Sequence, residues 1–252
     1  MGEATNVNEE DIEKYNLQNN GDHYCNLITP LPEIIQRRIE ELSPYYFQLE
    51  HLSPDQRSVL INLLCSRAQV FSKSLATLGH TDLVTPHIEL LNSHPITSLS
   101  FPVPLALEAE AQSQIREKLE ADIILRSNSA WTCPMLLVKK KSIDPNKPPK
   151  YRLALDLRLL NAIIVPSSYP LPKIQNILLN LSKFKYFSTL DMGSAYWQIA
   201  APKEIQEKLS LTTPWDVFTY QRLVFGLRTA ASTFQQMIDL LVHQSGVDGC
   251  FP

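Results

Sequence analysis

The spacing of apolar residues along this 252-residue chain predicts helices in the first half and strands in the middle. Residues 1–29 have no such period and are polar and acidic, which indicates a flexible lead-in. A second helix is expected from Ser53, because Ser53, Pro54 and Gln56 combine an N-cap, a first-turn proline and a capping-box residue. Its apolar stripe would be Leu60, Leu63, Leu64, Ala68 and Phe71. A first helix is expected upstream, after Pro32, with the apolar stripe Ile34, Ile35, Ile39 and Leu42.

Beyond residue 85 the pattern predicts a mixture of short strands and amphipathic helices, with no internal repeat. The predicted strands are 86–90, 135–140, 151–157, 186–191 and 217–220, of which 135–140 and 151–157 would form a hairpin across the polar segment 142–149. The predicted helices carry Leu107, Ala111, Ile115 and Leu119, then Ile174, Ile177, Leu178 and Leu181 after Pro172, and finally span residue 230 to about residue 243. The chain is therefore expected to be α+β with antiparallel strands.

The segment 188–199 is the most informative part of the sequence, because it places one carboxylate at the end of an apolar strand. Asp191 is followed by a turn of small residues and then by two aromatic residues, Tyr196 and Trp197. A carboxylate in that position can hold a divalent metal, and small residues let a substrate lie against the backbone. One carboxylate is a poor metal site, and an isolated aspartate more often caps a turn, so partner ligands are needed.

Charge is distributed unevenly along the chain. Residues 131–190 carry ten Lys and Arg residues and two acidic residues, although the whole chain has a net charge of −3. A local positive field suits phosphate-rich partners, but a lysine cluster is more commonly a solvated surface. The four cysteines, Cys25, Cys65, Cys133 and Cys250, lack zinc-ligand spacing, and no apolar run approaches the length of a membrane span.

Three ordered blocks of sequence resemble the reverse transcriptase of gypsy-type LTR retrotransposons (Metaviridae), which is part of a Pol polyprotein. The blocks are 138–141 with 151–161, then 188–199, then 225–235, supported by 129–134 and 169–172. Segments 70–71, 78–81 and 87–88 resemble the region that precedes the polymerase, so the similarity covers residues 52–252. It implies right-hand polymerase fingers and a partial palm in residues 105–252, a pre-polymerase linker in 52–104, and an acidic lead-in with one helix in 1–51.

The resemblance implies an RNA-directed DNA polymerase domain that transfers nucleotides from dNTPs to a primer 3′-hydroxyl by a two-metal mechanism with Mg²⁺ or Mn²⁺. Asp191 matches the first metal carboxylate of the family and is the catalytic candidate. The backbone of the next four residues, Met192, Gly193, Ser194 and Ala195, would face the triphosphate.

Further roles follow from the same resemblance. Tyr196 matches the aromatic ring that stacks under the incoming sugar and excludes a 2′-hydroxyl, whereas Trp197 is interpreted as a core residue. Lys140 and Arg152 match cations that grip the triphosphate. The remaining candidates are Phe225 and Gly226 beside the nascent base pair, and Lys139, Lys141, Arg158 and Asn161 toward the template and primer.

The sequence departs from the family pattern at Val224, Thr229 and Ala231, where the family has Pro, Asn and Pro. It also contains no Asp-Asp pair, whereas the family places an aromatic-x-Asp-Asp hairpin soon after the helix that begins near residue 230. We therefore expect this chain to be truncated and inactive by itself.

The expected partners are an RNA or DNA template with its primer, dNTPs, and the thumb, RNase H and integrase regions of a full polyprotein. No membrane partner is expected, and the family implies an intracellular location, in a cytoplasmic particle or the nucleus. Two alternatives remain open. One is a decayed or repurposed remnant that binds nucleic acid through residues 138–152 without catalysis, and the other is an unrelated α+β interaction domain.

Overall fold

The computed structural model describes residue 49 and residues 51–72, 74–141 and 148–246. The helix expected after Pro32, the thiols of Cys25 and Cys250, and residues 142–147 of the polar segment lie outside these residues. The chain divides into two units, residues 1–68 and residues 69–252, which are described separately.

In the first unit, helix α1 spans Pro54–Ser66 and begins with the predicted capping box. The Gln56 backbone N–H donates to Ser53 Oγ at 3.3 Å, and the Ser53 N–H donates to Gln56 Oε1 at 3.1 Å. The predicted apolar face was wrong at Leu63, which is 56% exposed, whereas Leu60 and Leu64 are half-buried and the buried positions are Ile61 and Cys65. The helix stops at Ser66, so its stripe does not continue to Ala68 and Phe71 as expected.

The second unit contains a five-stranded sheet of spatial order β1-β5-β4-β2-β3. The strands are β1 (Ile124–Arg126), β2 (Cys133–Lys139), β3 (Tyr151–Leu155), β4 (Ser210–Thr212) and β5 (Val217–Tyr220). All neighbours are antiparallel except β2 and β4, which pair in parallel through Cys133 and Pro134. This arrangement confirms the predicted hairpin, in which Met135 pairs with Leu155 and Val138 pairs with Arg152.

Five helices belong to this unit, in the part of it that the structure describes. They are α2 (Leu105–Glu120), α3 (Arg158–Ile163), α4 (Ile174–Leu181), α5 (Lys203–Gln206) and α6 (Ala230–Ser245), with 3₁₀ turns at Leu75–Thr77 and Ala195–Gln198. The core draws residues from α2, α3, α6 and the sheet, and it includes Ala111, Leu160, Leu211, Tyr220 and Met237. The predicted α2, α4, β5 and α6 are confirmed. No helix of the described segments is long and apolar enough to cross a membrane.

Two predicted strands were wrong. Residues 86–90 form only a single bridge, Leu90 with Ile164, although Val84, Pro86 and Ile88 are buried in alternation as a strand would bury them. Residues 186–191 form no ladder with any described segment, and Tyr186 and Leu190 are 82% and 78% exposed. A strand needs a neighbouring strand to bond its N–H and C=O groups. The apolar residues of 186–191 predicted a strand, but they carry no information on whether such a neighbour is present.

Helix α2 ends in a Schellman motif whose left-handed residue is an aspartate. The Ile123 N–H donates to Lys118 O at 2.9 Å and the Asp122 N–H donates to Leu119 O at 3.2 Å. Asp122 has φ 51°, in the region that glycine occupies without steric cost. The motif leads directly into β1, because the Gln221 N–H and Nε2 donate to Ile123 O and Asp122 O, both at 2.9 Å.

Replacing Asp122 with Gly is expected to raise the free energy of unfolding by about 1 kcal/mol, because it removes the left-handed strain and a negative charge at a helix C-terminus. Urea unfolding of the 252-residue chain measures this change. The matched control is Ala121→Gly, one residue earlier at φ −90°, which should give no gain. Equal effects of the two substitutions would contradict the explanation.

Candidate functional site

The turn after Asp191 is held in a defined conformation by its own backbone. Ser194 adopts φ 49°, and its carbonyl accepts the Trp197 N–H at 2.8 Å as the 3₁₀ turn begins. Gln198 Nε2 donates back to Gly193 O at 2.8 Å. A Cβ placed on Gly193 would meet nothing within 4 Å, so the space beside this residue is open. The turn can therefore accept a ligand against its backbone.

A segment far upstream fixes the other end of this turn. The Thr81 N–H donates to Gln198 O at 2.7 Å, and the Ala200 N–H donates to Thr81 O at 3.0 Å. These bonds form a parallel bridge between Thr81 and Ile199, and Ile199 is fully buried. Residues 78–81, which the sequence assigned to a pre-polymerase region, thus help to position the candidate site.

Asp191 is exposed at the start of this turn. The described residues contain no group of three or more His, Cys, Asp or Glu side chains that could hold a metal ion. Asp191 therefore has the chemistry of a single hard-cation ligand, and the described side chains by themselves do not fit a two-metal centre.

Five aromatic rings are linked by successive ring contacts and form what we call the aromatic cluster: Tyr196, Trp197, Tyr220, Phe225 and Phe234. The ring centroids of Tyr196 and Phe225 lie 4.8 Å apart, and Phe234 meets Tyr196 edge-on at 5.6 Å. Trp197 meets Phe225 edge-on at 5.6 Å and lies 6.4 Å from Tyr220. Tyr220 is fully buried, which raises the pKa of its hydroxyl. These contacts join the turn after Asp191 to the segment 223–228, and Trp197 is partly buried against the core.

Phe225 is 49% exposed and precedes Gly226, whose φ of 86° favours glycine. The side-chain amide of Asn161 secures this loop from both sides. Asn161 Nδ2 donates to Gly226 O at 2.8 Å, and its Oδ1 accepts the Arg228 N–H at 2.8 Å. The Arg228 guanidinium donates to Ile164 O at 3.0 Å. The structure therefore brings Asn161 to Gly226, and its observed partners are protein backbone groups.

The basic residues of the hairpin β2–β3 are exposed and occupy its two faces. Arg152 pairs with Val138, so it shares a face with Lys140, two residues beyond Val138. The Lys140 N–H donates to Lys150 O at 2.7 Å, which continues the hairpin pairing past β2. Lys139 and Lys141 alternate with Lys140. The two residues predicted to bind triphosphate thus share one face of the hairpin.

Arg158 lies next to Asp156 rather than extending freely. Its Nε and a terminal nitrogen donate to the Asp156 carboxylate at 2.9 and 2.6 Å. These hydrogen bonds hold the pKa of Asp156 below its ordinary value. The Arg158 side chain is 83% exposed, so its outer face remains open to a polar partner.

Lys118 is a residue of this region that the sequence interpretation missed. It is only 3% exposed on α2, and its Nζ lies 5.4 Å from the centroid of the Trp197 ring. Burial lowers the pKa of its ammonium to about 8, with Lys140 lowering it further and Glu117 opposing both. A signal was present in the sequence, since Lys118 follows Ala111 and Ile115 at the spacing of the buried face.

Comparison with known proteins identifies the segment that contains most of this geometry. Residues 138–246 match the family described as reverse transcriptase (RNA-dependent DNA polymerase). Curated relatives in Drosophila melanogaster include the retrovirus-related Pol polyproteins from transposon 297, 32% identical over 82% of this chain, and from transposon opus, 33% identical over 87%. The polyprotein from transposon gypsy is 35% identical over 71%. The chain spans 20%, 22% and 17% of the lengths of these relatives.

Solved structures with the same fold include the foamy viral protease-reverse transcriptase. In its complex with double-stranded DNA the TM-score is 0.70 at 19% identity, covering 90% of this chain and 45% of that one. In its complex with an RNA/DNA hybrid the TM-score is 0.69 at 20% identity, covering 90% and 29%. These values confirm the predicted α+β polymerase fold.

Replacing Asn161 with Ala is expected to lower the free energy of unfolding by about 1–2 kcal/mol, because it leaves Gly226 O and the Arg228 N–H without their partner. Hydrogen exchange of the Arg228 amide should accelerate more than exchange in β5. Asn176→Ala, on the exposed surface of α4, is the matched control and should leave both measurements unchanged. An unaltered Arg228 amide in Asn161→Ala would show that the loop is held by other contacts.

Proposed function

Residues 138–246 belong to the reverse transcriptase family, and we propose that this chain supplies the fingers and part of the palm of an RNA-directed DNA polymerase. The observation that carries the proposal is the packing of Tyr196 against Phe225 beside the open turn that follows Asp191. Two segments distant in sequence thereby form one surface with an aromatic floor and an exposed carboxylate. Such a surface suits a nucleotide, whose sugar and base need apolar contact and whose phosphates need polar groups.

In this proposal the incoming dNTP lies with its sugar on the ring of Tyr196 and its base pair near Phe225 and Gly226. The backbone of residues 192–195 faces the triphosphate. Lys140 and Arg152, on one face of the hairpin, approach its oxygens from the fingers, where the planar guanidinium suits two oxygens at once and the ammonium acts as a point charge. The protein's contribution is then mainly to position the primer hydroxyl and the phosphate in line.

A divalent metal completes the proposed chemistry. Mg²⁺ or Mn²⁺ would be held by Asp191 together with ligands from polypeptide outside the described residues. The chemistry that such a metal would supply is neutralisation of phosphate charge and activation of the primer hydroxyl. We infer from the single carboxylate that the 252-residue chain alone does not catalyse extension.

The proposed partners are a primer annealed to an RNA or DNA template. The foamy viral relatives were solved with an RNA/DNA hybrid and with double-stranded DNA, which supports partners of this class. Lys139, Lys141, Arg158 and Asn161 are proposed to lie toward the template and primer. We also propose the division into residues 1–51, 52–104 and 105–252, with thumb, RNase H and integrase regions in a longer polyprotein.

The absence of a clustered carboxylate set among the described residues favours a second candidate, a remnant that binds nucleic acid through residues 138–152 without catalysis. The two candidates differ in one measurement. A polypeptide that carries this chain and continues past Pro252 extends a primer in the first case, and only binds it in the second.

Replacing Asp191 with Asn in such a longer polypeptide is expected to reduce primer extension by at least about a hundredfold, because a neutral amide is a weaker metal ligand than a carboxylate. Extension is measured with Mg²⁺ on RNA and DNA templates. Asp55→Asn, in α1 and outside the matched segment, is the control and should retain the rate. Retained activity in Asp191→Asn, or extension by the 252-residue chain alone, would contradict the respective assignment.

Tyr196→Val is expected to lower the preference for dNTPs over rNTPs by about tenfold or more, because the smaller side chain leaves room for a 2′-hydroxyl. The ratio of kcat/KM for dGTP and GTP measures this preference. Tyr196→Phe keeps the ring and should keep the ratio. A preference that does not change in the valine variant would remove Tyr196 from its proposed role.

A further inference from the structure

Lys118 is a buried cation for which the structure offers no carboxylate partner in the described ranges. Neither of the two ion pairs found there includes it, and its Nζ donates to a backbone carbonyl of its own helix, Gln114 O, at 3.2 Å. Its other contact is the face of Trp197, 5.4 Å from Nζ to the ring centroid. Burying an ammonium with so few partners is costly, and a methionine of similar volume would avoid that cost.

The indole that Lys118 contacts has few other constraints. Trp197 Nε1 is buried without a hydrogen-bond acceptor among the described residues, so packing and the nearby cation determine where the ring lies. One edge of this packing is Phe225, at 5.6 Å, and Phe225 in turn packs on Tyr196 at 4.8 Å. A continuous series of ring contacts therefore leads from Lys118 to the residue proposed to lie under the sugar.

Lys118 is connected through Gln114 to the hairpin that carries Lys140 and Arg152. It lies one turn after Gln114, whose side-chain amide donates to Tyr151 O at 3.1 Å and accepts the Leu153 N–H at 2.9 Å on the outer edge of β3. The charges that act on its ammonium are Glu117 on the same helix and Lys140 after β2. The hairpin therefore helps to position Lys118 from one side, and on the other side Lys118 contacts Trp197 of the aromatic cluster.

We propose that Lys118 is a positioning residue of the nucleotide site, whose ammonium holds Trp197 and thereby sets the ring of Tyr196 against the sugar of an incoming deoxynucleoside triphosphate. This inference rests on the proposed polymerase function. Lys118 does not touch the substrate; it acts through two rings. A cation over an indole contributes about 1 kcal/mol or more when desolvated, which is enough to favour one ring position over another.

The first test needs no nucleotide and uses the 252-residue chain. Ring ¹H–¹³C NMR signals of Trp197 are followed from neutral pH to about pH 10, a range that spans the neutralisation of Lys118. A transition centred near pH 8, the pKa of Lys118, is expected in the native chain. Lys118→Met and Lys118→Arg should both abolish it, since methionine carries no charge and the guanidinium remains charged throughout.

Lys208 provides a matched control, because its Nζ lies 6.0 Å from the other lysine-contacted indole, Trp131. Lys208→Met should leave the Trp197 transition unchanged. A native Trp197 signal that does not move over this pH range, or that still moves in Lys118→Arg, would overturn the proposed contact.

The second test measures discrimination between dGTP and GTP in the longer, extending polypeptide. Lys118→Met should reduce the ratio of kcat/KM values by about fivefold, the equivalent of about 1 kcal/mol, whereas Lys118→Arg and Lys208→Met should retain it. The native ratio should fall as the pH rises past about 8, and the ratio of Lys118→Arg should not.

The outcomes separate the two hypotheses. If the native polypeptide does not extend a primer, the polymerase proposal fails and Lys118 loses the site that it would serve, whatever the NMR result. If the native polypeptide extends a primer and Lys118→Met discriminates equally well at every pH, only the positioning inference fails.

Discussion

The site geometry depends on the side-chain amide of Asn161. Its two hydrogen bonds fix the loop around Gly226 to α3, and this loop carries Phe225 to the aromatic cluster. Each bond contributes only about 1 kcal/mol, so their importance is geometric. An amide is the side chain that offers a donor and an acceptor at this spacing, and a carboxylate or an aliphatic group would satisfy at most one of the two backbone groups.

Local patterns in the sequence predicted much of the fold, because α2, β5, α6 and the β2–β3 hairpin are each specified by their own residues. Asp191 became a site candidate because its segment combines an apolar run, small residues and aromatics, and Tyr196 became one through the family resemblance. The strand over 186–191 was mispredicted because pairing depends on a neighbour that the segment itself does not encode. Lys118 was missed because a charged residue on a helix predicts a surface position, although its spacing from Ile115 matched the buried face.

Two deficits coincide in the stretch between α4 and the turn after Asp191. Its apolar side chains are exposed, with Phe187 at 62% and Leu190 at 78%, and the carboxylate at its end has no clustered partners among the described residues. The exposed apolar side chains need a covering surface, and the carboxylate needs further acidic ligands to hold a metal. One additional strand that carries acidic residues would provide both, so we regard the two needs as one.

The connectivity of the sheet bears on how the protein emerges during synthesis. Strands β2 and β3 are close in sequence, so they can pair soon after they are synthesised. By contrast, β1 pairs with β5 and β2 pairs with β4, and both partners are encoded much later. At about 5–20 residues per second, translation leaves α2 and the hairpin without β4 and β5 for a time on the order of seconds. A two-stranded hairpin is marginally stable by itself, so during that interval its order depends on the contacts of α2 with β3. The nascent chain, with its incomplete sheet, is therefore a candidate client for chaperones well before the proposed nucleotide site exists.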